Sequence, residues 1–118
     1  MSYDIRFKAK IENIDYYVDL DAVEANITWN AGKIIRLSTG LEWKNEANNG
    51  FCTDVMPAVY RGLRELEDHP EKYKSYEASI DWGTVHGAKS FFRKLILDWE
   101  CFCQDYPQLV PAATFWIE

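Results

Sequence analysis

Residues 3 to 20 alternate apolar and polar side chains with little interruption. Tyr3, Ile5, Phe7, Ala9 and Ile11 are interleaved with Asp4, Arg6, Lys8 and Lys10, and Ile14, Tyr16, Val18 and Leu20 with Asp15, Tyr17 and Asp19. A period of two is the signature of a strand buried on one face. Two such runs joined at Glu12-Asn13 predict a hairpin. With that turn, Lys10 faces Asp15 and Arg6 faces Asp19 on the wet side, while Phe7 faces Val18 and Ile5 faces Leu20 on the dry side.

The rest of the chain supplies cover for that dry face. Residues 25–29 predict a short strand. Asn30 then fits a helix N-cap, with a helix over 31–39 presenting Ile34, Ile35 and Leu37, and Gly40 as its left-handed end. The stretch KNEANNG (44–50) resists any regular assignment. A second helix starts at Thr53 or Asp54, with Pro57 in its first turn and Val55, Met56, Val59, Tyr60, Leu63 and Leu66 as its apolar stripe. Arg61 with Glu65 and Arg64 with Asp68 stand four apart on its wet side. Asp68-His69-Pro70 ends it, and Pro70 opens a short turn through Tyr76.

Asp81-Trp82-Gly83 precedes the longest helix, Thr84 to Asp105, whose stripe is Val85, Ala88, Phe92, Leu95, Ile96, Trp99, Phe102 and Cys103. Pro107 and Pro111 bracket its exit. AATFWIE then predicts a final strand with Ala113, Phe115 and Ile117 on one face and Thr114 and Trp116 on the other. No linker or repeat divides the chain, so residues 1–118 read as one α+β domain. Its small antiparallel sheet, the N-terminal hairpin plus the C-terminal strand, is covered on one face by two or three helices, including the long C-terminal one. The terminal strand fits equally at a sheet edge, pairing across a homodimer axis, or inside the monomer.

Charge and composition narrow the function. Among 118 residues, 13 Lys+Arg against 19 Asp+Glu give a net charge of −6, and the pI is near 4.9. Direct nucleic-acid binding is not expected, because phosphate binders gain affinity through clustered Lys and Arg. A partner protein with a basic surface fits. Five Trp, seven Tyr and six Phe exceed what so small a core needs, which points to accessible rings. Cys52, Cys101 and Cys103 form no CxxC pair and indicate a reducing cytoplasm. The amino end has no apolar leader, and no run is long enough to span a membrane.

Reactive groups are sparse, and no catalytic residue, metal ligand set or cofactor motif is assigned. His69 stands at a helix break, where a cap or an exposed helix end accounts for it. His86 stands in the first turn of the long helix, as a base or as a surface group. Cys52, beside a helix start, lacks a third group to orient a Cys–His pair. The carboxylates Asp15, Asp19, Asp21 and Glu24 read as a solvated face. Glu65, Glu67, Asp68 and Glu71 cluster around His69-Pro70 as an acidic knob suited to a basic surface. There is no GxxxxGK[ST] or GxGxxG to cradle phosphates.

The remaining candidates are loop residues. Thr28, Trp29 and Asn30, the stretch from Trp43 through Asn48 to Asn49, and Trp82, Gly83 and Thr84 converge on one rim if their loops do, and such a rim would hold a nucleobase-like small ligand or a peptide, with His86 a further binding candidate. The simpler account makes Asn30 and Thr84 caps and the Trp rings staples.

The ordered set ITWN (27–30), NNG (48–50), HPEKYKSY (69–76) and DWGTVHG (81–87) followed by a Phe pair resembles small uncharacterised proteins of bacteriophage, prophage and mobile elements. That resemblance implies a setting, a bacterial host cytoplasm, and an accessory role. The expectation is a non-enzymatic binder that modulates or inhibits a host protein, such as a defence nuclease, through acidic and aromatic surface. The alternative is a small-ligand or nucleotide-binding module built on the Trp and Asn loops.

Overall fold

The alternation at the amino end becomes strand β1 (Ser2–Lys10). Tyr3, Ile5, Phe7 and Ala9 are buried, while Asp4, Arg6 and Lys8 are only partly so. A computed structural model of the chain describes residues 2–10, 17–20, 23, 25–43, 47–77 and 83–118. β2 (Tyr17–Leu20) pairs antiparallel with β1, matching Phe7 to Leu20, Lys8 to Asp19 and Ala9 to Val18. The sequence register, with Phe7 on Val18 and Arg6 on Asp19, is therefore displaced by two residues. A slip of two keeps every side chain on its own face and still gives Asp19 a cation, so periodicity and charge do not separate the two pairings. The Glu12-Asn13 turn and Asp15 lie outside the described residues, as do Asp21, Glu24, Asp81 and Trp82.

β3 (Asn26–Thr28) pairs with the start of β1, and β5 (Thr114–Ile117) pairs with its centre, Phe7 opposite Phe115. Beyond β5 lies β4 (Ala47–Phe51), giving the order β2-β1-β5-β4, all antiparallel. The terminal strand thus has a neighbour on each side and lies inside the sheet rather than at its edge. β4 corrects the reading of 44–50 as irregular over 47–50, while 44–46 lie outside the described residues. The ANNGF segment has no apolar alternation, and its strand exists because β5 offers a ladder. It carries a register shift between Asn48 and Phe51, with Gly50 at φ 100 and its N–H bonded to Asn48 Oδ1.

Helix α1 (Gly32–Thr39) is preceded by a 3₁₀ turn, η1 (Trp29–Ala31). Asn30 is inside that turn rather than at a cap, and α1 begins at Gly32, its N-cap Ala31 making no side-chain bond. Gly40 ends it at φ 75, as its sequence position implies. α2 (Cys52–Asp68) starts earlier than Thr53 or Asp54. The Cys52 N–H donates to the Ala113 carbonyl at 2.9 Å, so the chain entering β5 does the work of a cap. Pro57 consequently sits in the second turn, where the helix forgoes one ladder bond. Val55, Met56, Val59 and Leu66 are buried as their spacing implies, whereas Tyr60 is 40% exposed.

α2 ends at His69 and passes into η2 (Pro70–Tyr76). α3 (Val85–Asp105) is capped by Thr84, whose hydroxyl accepts the Gly87 N–H at 3.0 Å. Phe91 and Asp98 join its buried side in addition to the expected stripe. A last 3₁₀ segment, η3 (Pro107–Ala112), leads into β5. The helices cover one face of the sheet. Phe7 meets Trp99 edge to face at 5.7 Å and 89°, and Trp43 meets Phe91 at 5.8 Å and 86°. Such ring pairs add about 0.5–1.5 kcal/mol each beyond their area.

Candidate binding surfaces

The junction of α2 and η2 forms a groove of about 500 Å³ lined by Glu65, Asp68, His69, Pro70, Glu71 and Lys72. Its origin is local. Pro70 stops α2, His69 adopts φ −133 and ψ 54, and the reversed chain brings η2 back beside the last turn of the helix. Glu65 accepts the Lys72 ammonium at 3.0 Å and the Tyr73 hydroxyl at 2.9 Å. These bonds, Lys72 first, hold the Glu65 carboxyl below its ordinary range and raise Lys72. The expected Arg61–Glu65 pair is thus replaced by a partner from η2. Lys74 meets Glu71 at 3.6 Å. Glu67 lies apart, bonded to Arg93 at 3.3 Å.

Of the other loop residues, Trp29 and Trp43 both meet the Tyr3 ring, at 5.9 and 5.8 Å. Trp29 is 39% exposed, with its indole N–H on the Ser2 carbonyl at 3.0 Å. Asn30 is exposed beside it. Trp43 is 2% exposed and lies among Tyr3, Phe91 and Phe115, so its ring belongs to the core. Asn48 is exposed on β4, opposite Trp116. His86 is exposed in the first turn of α3, whose Val85 amide is taken by Glu77 at 3.1 Å. Trp82 is outside the described residues.

Cys52 opens a helix but has no access to solvent. Burial, with a smaller contribution from Cys103, pushes its thiol up to about 12, which is the reverse of what a thiolate nucleophile needs. Cys103 is raised as well, by burial and then Glu100, while Cys101 is exposed. The buried carboxylate of Asp98 accepts the Ala25 amide at 3.2 Å and the Lys94 ammonium at 2.9 Å, tying α3 to the segment before β3. Among the described residues, no three His, Cys, Asp or Glu side chains are grouped to hold a metal ion, and no helix is long and apolar enough to cross a membrane.

The sheet face opposite the helices carries a cluster that periodicity alone left unremarked. Lys8 pairs with Glu118 and with Asp19 at 3.6 Å, and its ammonium stands 4.7 Å over the Trp116 ring. Tyr17 meets that ring at 5.1 Å. The Trp116 N–H donates to Thr114, whose hydroxyl donates to the Lys8 carbonyl at 2.6 Å. The alternating pattern identifies this face, but the clustering depends on pairing β1 with β5 across most of the chain. Arg6 stands 3.9 Å from Glu118, so two cationic side chains balance the carboxylates of Asp19 and Glu118.

Comparison with known proteins places the chain beside none of them: no family model, no curated protein and no solved structure matches it.

Proposed function

We propose that this chain is a non-enzymatic accessory protein of a phage or mobile element, acting in the host cytoplasm, where it binds and modulates or inhibits a host protein with a basic surface. The observation that carries the reading is the α2–η2 groove, in which Glu65, Asp68 and Glu71 share one concave wall with a single lysine. An acidic concavity of that kind steers a basic partner and discriminates against an acidic one. A defence nuclease, whose substrate-binding surface is basic, has the required chemistry. The inaccessible Cys52 thiol and the exposed, scattered histidines support binding rather than turnover.

Affinity capture from host lysate with the tagged chain, at low and moderate salt, tests the proposal. It expects a partner whose recovery falls steeply as salt rises and falls again when polyglutamate competes. Recovery that is indifferent to salt and to polyanion would contradict it.

A further inference from the structure

We propose that the outer side of η1 and α1 is a docking ridge for an acidic amphipathic helix of a partner protein. Trp29, Leu37 and Tyr76 are large apolar side chains left 39%, 50% and 38% exposed, and all three lie there. Lys33 and Leu37 stand four apart on α1, which places them on one side of it, and Trp29 lies in the 3₁₀ turn that leads into that helix. Ile34 and Ile35 take the opposite side, fully buried. Tyr76, at the end of η2, closes the patch laterally, with the Lys33 ammonium 4.6 Å over its ring. That contact holds the lysine in place on an apolar surface, so less order has to be created when a partner arrives.

Charge identifies the occupant. α1 carries Lys33 and Arg36 and no carboxylate, in a chain of net charge −6. The ridge is a local positive spot with apolar flanks, and an amphipathic helix with carboxylates beside its apolar stripe matches both features. An anionic membrane would meet the whole molecule, and its net negative charge would oppose contact, whereas a single helix covers only the ridge. Trp29 and Leu37 are about 13 Å apart along the chain's helical path, at the 3₁₀ rise to Gly32 and the α rise beyond it, a length that three turns of partner helix cover. The ridge is opposite in sign to the α2–η2 groove and does not depend on it.

Two labelled 15-residue helical peptides test the assignment. Both carry Leu at i, i+3, i+4 and i+7, with Glu at the flanking positions of one and Lys at those of the other. Fluorescence anisotropy is read on the full chain, both unaltered and carrying Glu65→Gln, Asp68→Asn and Lys72→Gln, which removes the groove's lysine with two of its three carboxylates. The expected result is at least tenfold tighter binding of the Glu peptide. Lys33→Glu should reverse that preference, a gain for the Lys peptide that a misfolded chain would not produce, and Leu37→Asp should abolish both interactions. Equal binding of the two peptides, no binding of the Glu peptide, or an unchanged preference in Lys33→Glu would overturn the proposal. So would sedimentation with phosphatidylglycerol vesicles that Lys33→Glu and Leu37→Asp abolish while neither peptide binds, which would give the ridge to a membrane.

Discussion

Glu65 holds the Lys72 ammonium at 3.0 Å across the junction of α2 and η2. The bond fixes the groove and also cancels part of its charge. Lys72→Ala should therefore raise affinity for a basic partner severalfold and steepen its dependence on salt. Calorimetry at two ionic strengths reads both effects. A weaker complex would mean that the partner contacts Lys72 itself.

Tyr60 donates to Glu100 at 2.9 Å and is pushed from 10.0 to about 12, by burial first and the carboxylate second. The folded chain keeps this proton longer than the unfolded one does. The contribution is complete below the unfolded value and is lost as pH rises from about 10 to about 12. Absorbance at the tyrosinate band should show late-titrating phenols, Tyr73 among them, one of which disappears in Tyr60→Phe. An unchanged late component in that variant would contradict the Tyr60–Glu100 bond.

Trp43 is buried, yet its indole N–H has no hydrogen-bond partner among the described residues. Trp43→Ala should cost about 3–5 kcal/mol, because it empties the space between Tyr3, Phe91 and Phe115. Trp43→Phe should stay within about 1.5 kcal/mol of the parent, since removing an unsatisfied donor offsets lost volume. Chemical denaturation separates the two, and similar losses would mean that the indole N–H is satisfied.

Gly62 lets α1, α2 and α3 approach. A Cβ there would stand 2.6 Å from Thr39 Cγ2 and 3.3 Å from the Phe92 ring. Gly62→Ala should destabilise by about 1–3 kcal/mol despite its better helix propensity. A stabilised variant in a thermal melt would show that the helices separate without cost.

Where local pattern and tertiary context agree, the fold can be read from the chain. β1, α2, α3 and the Thr84 cap follow from period two, period three to four, and a hydroxyl before an apolar run. β4 is invisible because Asn48, Asn49 and Gly50 acquire strand geometry only from β5, more than sixty positions away in the chain. The β1–β2 register was underdetermined by parity. Phe91 was passed over because Phe92 already filled that turn, and Asp98 because a carboxylate on an apolar stripe breaks the pattern that defines it. Of the candidate site, the acidic knob was legible in part. Glu65, Asp68 and Glu71 do line one groove, since a proline break folds neighbours in sequence into neighbours in space, while Glu67 points away to Arg93. The burial of Trp43 is not legible, because nothing local separates a loop ring spent on the core from one left at the surface.

The groove itself is tested most directly by charge reversal. Glu65→Lys with Asp68→Lys, both at the solvent-facing end of α2, should weaken a purified partner complex by more than tenfold at low salt and flatten its salt dependence. Affinity and salt slope identical to those of the parent chain would contradict an acidic groove as the binding surface.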